Sequence, residues 1–229
     1  MEPPKDVLTN RLYRAWLLGK TSRSKRSREA VKERCANDIL FYTNSFVWTY
    51  NPRTRDKYLP FVTYPYQDRA LVVILGAIRD QVDLVIEKSR DMGGSWLSLL
   101  AMEFLWHFER GTSFLMLSRN EKLVDGGVDE EGSPVSLFWK IDCIHRHLPE
   151  WLRPSMSRKH LHYTNYEMGS YIDGESTTAA FSIGDRRTGV FFDEFSRIKE
   201  GHEILSGSAD VTDCRIFNFT PFGAGGASY

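Results

Sequence analysis

A glycine loop set between an apolar run and a helical pattern constrains this chain more than any other feature. Residues 82–86, apolar except for Asp83, are strand-like, and residues 97–108 repeat apolar side chains at helical spacing. Glu87-Lys88-Ser89-Arg90-Asp91-Met92-Gly93-Gly94-Ser95-Trp96 joins them. Strand, glycine turn, helix is the setting in which backbone N–H groups and a helix N-terminus cradle phosphates. Against the pattern G-x-x-x-x-G-K followed by Ser or Thr, Gly93 and Ser95 fall in register. Gly94 stands where the lysine belongs, and Lys88 stands where the first glycine belongs. The cation is displaced to the strand end rather than lost.

A second motif lies downstream. Gly189-Val190-Phe191-Phe192-Asp193-Glu194 is an apolar strand ending in two acids, the form of a Walker B segment. In that form the first carboxylate holds a magnesium shell and the second polarises the attacking water. Either motif alone is weak, because glycine turns are common and acids often close strands as solvated caps. In this order and context, the pair points to nucleotide binding.

The 229 residues suffice for a large α/β domain with a small appendage. Formal net charge is zero, so nucleic-acid affinity would have to come from a local basic surface. Cys35, Cys143 and Cys214 are odd in number and form no C-x-x-C pair, which points to a reducing compartment without a disulfide framework. No apolar run approaches a membrane span, and the N-terminus lacks a signal-peptide core. His145-x-His147 and His160-x-His162 have no cysteine or carboxylate at metal-ligand spacing, so a zinc site is not expected there.

Along the chain, residues 7–19 form an amphipathic helical pattern and residues 20–34 are strongly basic. Residues 38–50 are aromatic-rich and end at Asn51-Pro52-Arg53. Residues 1–60 thus read as a helical N-terminal lobe. Residues 61–229 alternate strand and helix, which predicts an α/β fold with a mainly parallel sheet flanked by helices. Helices are expected at 66–79, 95–108 and 135–147, and strands at 82–88, 113–118, 188–193 and 214–219. The stretch 161–184 reads as hairpins broken at Gly169, Asp173-Gly174 and Gly184, and residues 125–133 as a loop.

Four segments in order resemble the ATPase domain of tailed-phage terminase large subunits, the motors that package DNA into proheads. Tyr64-Pro65-Tyr66-Gln67 is similar to the family's adenine-contacting Q motif. Lys88 to Ser95 is similar to its altered Walker A, Val190 to Glu194 to its Walker B, and Phe219-Thr220-Pro221-Phe222-Gly223 to its coupling motif. The likeness runs from about residue 60 onward and is specific in combination. Many members carry lysine at the position of Gly94, while others place it at the loop's start, as Lys88 does. Members usually continue into an RNase H-like nuclease domain; too few residues follow the coupling motif here for that domain, so no nuclease activity is expected of this chain.

The resemblance implies an ASCE-type P-loop fold, ATP and Mg²⁺ as ligands, and double-stranded DNA as the translocated partner. It also implies a homo-oligomeric ring, a portal or procapsid, a small terminase subunit, and the cytoplasm of an infected bacterial host. Lys88 would neutralise β- and γ-phosphate charge, with Ser89, Arg90, Asp91, Met92, Gly93, Gly94, Ser95 and Trp96 forming the binding loop. Ser95 would hold Mg²⁺ with Asp193, or else be an ordinary N-cap, and Glu194 would act as catalytic base, the two acids otherwise forming an exposed strand cap. Arg90 would reach the γ-phosphate, or else pair with a neighbouring acid. Arg186 or Arg187 would serve as a finger reaching a neighbouring subunit, or else form a surface pair. Tyr66 and Gln67 would recognise adenine, or else start a helix, and Thr220 would sense the γ-phosphate. The basic run would contact phosphates or form a solvated helix face. Two rival readings are another P-loop translocase or helicase, and a catalytically silent nucleotide-binding assembly subunit, the latter motivated by the missing lysine at position 94.

Overall fold

The computed structural model describes residues 1–127, 132–177, 185–198 and 201–221. Phe222 and Gly223 of the coupling segment, Gly184, and part of the 125–133 loop lie outside the described residues. The chain divides into two compact units: Met1–Val72 with Ile141–Arg153, and Val73–Lys140 with Pro154–Tyr229. The division between the units falls inside a helix, and the first unit includes residues 141–153.

The first unit contains α1 (Val7–Ser22), α2 (Lys25–Asn37), α3 (Ile39–Phe46) and a small antiparallel pair, β1 (Trp48–Tyr50) and β2 (Tyr58–Pro60). The side chains of Asp6, Ser24 and Asp38 accept from the backbone of the first turns of α1, α2 and α3, which fixes where each helix starts. Arg14 is buried and donates to the carbonyls of Thr43, Asn44 and Val47, adding charge-assisted bonds at the end of α3. Burial pushes the Arg14 guanidinium down to about 9. The basic run is largely a solvated helix face: Lys20, Arg23, Lys25 and Arg26 are exposed, while Arg34 stacks over Phe41 at 4.0 Å.

Helix α4 (Pro65–Asp80) begins in the first unit and continues into the second. The second unit then holds β3 (Leu84–Glu87), α5 (Gly94–Phe108), β4 (Ser113–Ser118), α6 (Glu121–Val124) and the first turn of α7 (Leu137–His147). After the first unit's second segment come β5 (Met156–Lys159), β6 (His162–Asn165), β7 (Ser170–Ser176), β8 (Gly189–Asp193), α8 (Gly201–Ser208) and β9 (Arg215–Phe219). Seven strands form one sheet in the order β3-β9-β8-β4-β7-β6-β5. The five from β3 to β7 are parallel, and β6 and β5 extend the sheet antiparallel. The fold is therefore α/β with a mainly parallel sheet, as the alternating pattern predicts.

Every residue of β4 and of β8 is buried, as expected of strands covered on both faces. Leu115, Leu117, Val190, Phe192 and Phe217 form a continuous core with Phe195, Ile204 and Phe219. One expectation is corrected. Asp173-Gly174 is not a turn but the middle of β7, where a Cβ on Gly174 would meet Val124 Cγ1 at 2.6 Å. The glycine serves close packing, and the β5–β6 turn instead runs through Leu161, whose φ is 55°. Helix α8 and strand β5 carry too short a pattern to be read from sequence.

All three cysteines are free and buried. Burial raises the Cys35 thiol and pushes those of Cys143 and Cys214 up to about 12. The native protein should therefore show no fast reaction with a thiol-specific aromatic disulfide, and all three should titrate in denaturant. Rapid native labelling of any one would contradict the packing.

Candidate functional site

Parallel strands deliver their C-terminal ends to one edge of a sheet, and ligands of open α/β folds bind there. Here the chain leaves β3 at Lys88, β4 at Arg119, β8 at Glu194 and β9 at Thr220. Topology alone thus gathers residues that are far apart in sequence. A cleft of about 470 Å³ opens at this edge, lined by Lys88, Arg90, Asp91, Gly93, Gly94, Ser95, Trp96, Lys140, Glu194, Ser196, Arg197 and Thr220. Lys88 and Glu194 share it. Of the charged residues in its wall, Lys88, Arg90, Lys140 and Arg197 outnumber Asp91 and Glu194. In a chain of zero formal net charge, that local excess favours an anionic ligand.

The loop is shaped by its backbone. Gly93 caps α5 in the left-handed region at φ 81°, with no side-chain cap, and Asp91 is also left-handed at φ 63°. The helical ladder begins when Leu97 N–H donates to Gly93 O at 3.0 Å. The N–H groups of Gly94 and Ser95 therefore precede the ladder and point out of the helix start. Ser95 is not the N-cap. Its hydroxyl donates to Asp193 Oδ1 at 2.8 Å.

Lys88 explains the glycine at 94. A Cβ on Gly94 would lie 2.5 Å from Lys88 Cδ and 2.7 Å from Lys88 Cε. The aliphatic stem of Lys88 fills the space where a side chain at 94 would begin. Its ammonium donates to Thr220 Oγ1 at 3.5 Å, linking the loop to the end of β9. Lysine at one position and glycine at the other are thus two halves of one arrangement.

Asp193 is 8% exposed and lies beneath the loop. Asn218, opposite it in the β8–β9 register, donates to Asp193 Oδ1 at 2.7 Å and to Ser95 Oγ at 3.3 Å. The Asn218 Oδ1 is buried without a hydrogen-bond partner and faces Gly94, 2.7 Å from where a Cβ would stand. Sequence reading missed Asn218, although a lone amide in Arg215-Ile216-Phe217-Asn218-Phe219 is a signal in itself. A hydroxyl, one carboxylate and an unsatisfied amide oxygen are hard donors of the kind Mg²⁺ takes when phosphate oxygens and water complete its shell. The residues fit such an ion. Among the described residues, no three His, Cys, Asp or Glu gather to hold a metal without a ligand's help.

Glu194 has left-handed backbone, φ 54° and ψ 40°, which turns its side chain off the strand and into the cleft wall. A non-glycine residue in that region costs about 1–3 kcal/mol and is concentrated at functional positions. Arg119 Nε approaches Glu194 Oε2 at 3.8 Å with both side chains about half exposed, a weak restraint in water. Ser196 Oγ donates to Thr220 O at 3.0 Å, a second tie between the ends of β8 and β9. Arg119, Ser196, Arg197 and Lys140 were not singled out from sequence, because no motif surrounds them.

Lys140 is 9% exposed. Its ammonium donates to the carbonyls of Val135 at 2.7 Å and Ser136 at 3.1 Å. Burial pushes it down to about 8, against the pull of the Asp193 and Glu194 carboxylates.

The remaining sequence candidates differ in where they lie. Ser89 and Met92 belong to the loop and are exposed but do not line the cleft. Arg90 lines it and makes no ion pair among the described residues. Arg187 lies outside the cleft: its guanidinium pairs with Asp173 and stacks over Tyr171 at 5.0 Å, with 10% of the side chain exposed. Serving as a finger for a neighbour would require breaking that pair. Arg186 is exposed. Tyr66 and Gln67 belong to the first unit. There Gln67 Oε1 accepts from Tyr64 N–H at 3.0 Å, a capping-box contact at the start of α4, and the Tyr64 and Tyr66 rings stack 5.8 Å apart.

No protein-family model and no curated protein matches this chain. Solved structures do. The HK97 bacteriophage large terminase aligns with a TM-score of 0.56 at 9% identity, over 80% of this chain and 37% of that one. The Thermus phage P74-26 large terminase ATPase domain aligns with a TM-score of 0.46 at 14% identity, over 66% of this chain and 65% of that one. The Sulfolobus solfataricus SWI2/SNF2 ATPase core, solved in complex with double-stranded DNA, gives a TM-score of 0.46 at 11% identity, over 68% and 31%. The chain spans little more than a third of the length of the HK97 protein. What the chain shares with the HK97 protein is the fold. No helix among the described residues is long and apolar enough to cross a membrane.

Proposed function

We propose that this chain is the ATP-hydrolysing motor domain of a phage terminase large subunit, driving double-stranded DNA into a procapsid. The observation that carries the reading is the Lys88 stem lying against Gly94 in the cleft that also holds Glu194, with Ser95 bonded to Asp193 beneath. A silent nucleotide-binding subunit is the weaker reading, because the missing lysine has a substitute seated at the same loop.

Lys88, Arg90 and the backbone N–H groups at the start of α5 bind and orient the triphosphate. Glu194 accepts a proton from a water as its oxygen bonds to the γ-phosphorus and the bond to the β-phosphate oxygen breaks, giving ADP and phosphate. Ser95 and Asp193 would hold Mg²⁺, which supplies charge neutralisation at the β- and γ-phosphates. Thr220, bonded to Lys88, reports the state of the phosphates to β9. Tyr66 and Gln67 are assigned to adenine, and DNA, portal, small subunit and the infected cell's cytoplasm are the expected setting.

Arg186, exposed and unlike Arg187 not paired with Asp173, is the better finger in trans for a ring. The test is Mg²⁺-dependent ATP turnover with double-stranded DNA, on wild type and on mixed variants. Glu194→Gln and Arg186→Ala proteins should each be nearly inactive and recover turnover when mixed, since fingers contribute about 10³-fold or more. Absence of turnover in the wild type under all DNA conditions would remove the motor reading. Failure of the mixture alone would remove only the trans finger.

A further inference from the structure

The geometry points to Lys140 as a second lysine contact for the bound nucleotide, made to its terminal phosphate from the wall supplied by α7. This deepens the proposed function and rests on it. A buried ammonium is costly unless its donors and its charge are both met. Two of the three N–H donors of Lys140 are met by the carbonyls of Val135 and Ser136. Those acceptors are neutral, so they hold the group in place without cancelling its charge. The third donor has no protein partner among the described residues, and the side chain lines the cleft.

The carboxylates that act on Lys140 are those of Asp193 and Glu194, the pair assigned to the metal and the attacking water. The other charged groups of the wall are Lys88, Arg90, Asp91 and Arg197. Lys140 therefore belongs to the end of the cleft where the γ-phosphate would sit, while Lys88 enters from the loop. A lysine meant only to staple the α7 start would need no face on the cleft, and an uncharged donor would serve the two carbonyls equally well. Position and charge together fit an oxygen that exists on a triphosphate and not on a diphosphate.

The test measures binding of ATPγS and of ADP, each with Mg²⁺, to wild type, Lys140→Gln and Lys140→Arg. Glutamine keeps a donor for the carbonyls and removes the charge; arginine keeps the charge. Lys140→Gln should lose about tenfold to a hundredfold in ATPγS affinity, the range of a charge-assisted hydrogen bond, with little change for ADP. Lys140→Arg should retain most of the preference for ATPγS. Equal loss for both nucleotides, or loss for neither, overturns the assignment and leaves the proposed function standing. If the wild type binds neither nucleotide, the proposed function falls and this inference with it. Should the variants not melt cooperatively, reductive methylation of wild type decides. ATPγS with Mg²⁺ should slow modification of Lys140 and leave that of Lys25, 84% exposed, unchanged; equal modification with and without nucleotide overturns it.

Discussion

Lys88→Ala is expected to lower ATP turnover by about a hundredfold to a thousandfold, the usual cost of removing one preorganised charge donor, and Gly94→Lys placed on top of it to restore part of the loss. Gly94→Lys alone should be as damaging as Lys88→Ala. The reasoning is steric and then electrostatic. With Lys88 in place, any side chain at 94 must begin 2.5 Å from Lys88 Cδ and 2.7 Å from Asn218 Oδ1, so it displaces the working ammonium. With Lys88 cut back to alanine, only the Asn218 amide still crowds that space, and a lysine rising from α5 can enter it once that side chain rotates. The fold should tolerate each change, because the crowded atoms of Lys88 are the far part of a flexible side chain. Steady-state turnover and thermal melting of the four proteins check this. Additive losses in the double variant, with no recovery, would show that the two positions do not share one task.

Glu194→Gln should lower turnover by about 10²- to 10⁴-fold, the span of general-base catalysis, while nucleotide binding stays within about threefold of wild type. Glutamine keeps the shape of the side chain and can hold the same left-handed backbone, but it cannot take a proton from water. The restraint it loses is small, since the Arg119 pair is 3.8 Å long and half exposed. Turnover and fluorescent-nucleotide binding, measured on the same preparation, separate the two quantities. Equal turnover in variant and wild type would move the base elsewhere in the cleft. Loss of binding in proportion to turnover would instead make Glu194 a structural support of the loop.

Much of the site is legible in the sequence because its parts end strands. Lys88, Glu194 and Thr220 each follow an apolar run, and parallel pairing brings such ends to one edge without further information. The continuous burial of β4 and β8 made those strands readable, whereas β5 and α8 are short and carry no clear period. Three features were not legible. Asn218 joins the candidate site only through the β8–β9 register, which sets it opposite Asp193. Lys140 looks like any helical lysine until α7 buries it against the cleft. Arg187 looks like a free surface cation beside Arg186, and its tie to Asp173 arises from a pairing across the sheet that no local pattern announces. Glycine at 174 misled for the opposite reason: it serves tight packing against Val124, not chain reversal.

The placement of β3 carries a consequence for biogenesis. Among the described residues its sole sheet neighbour is β9, and the bond between Arg215 and Asp83 closes a span of 132 residues. The glycine loop that follows β3 therefore has no stable platform until β9 has been synthesised, whereas β5, β6 and β7 are contiguous and pair locally. Closing so long a loop is slow relative to forming a local meander, so the cleft edge should form after the β5–β7 meander in a newly made chain.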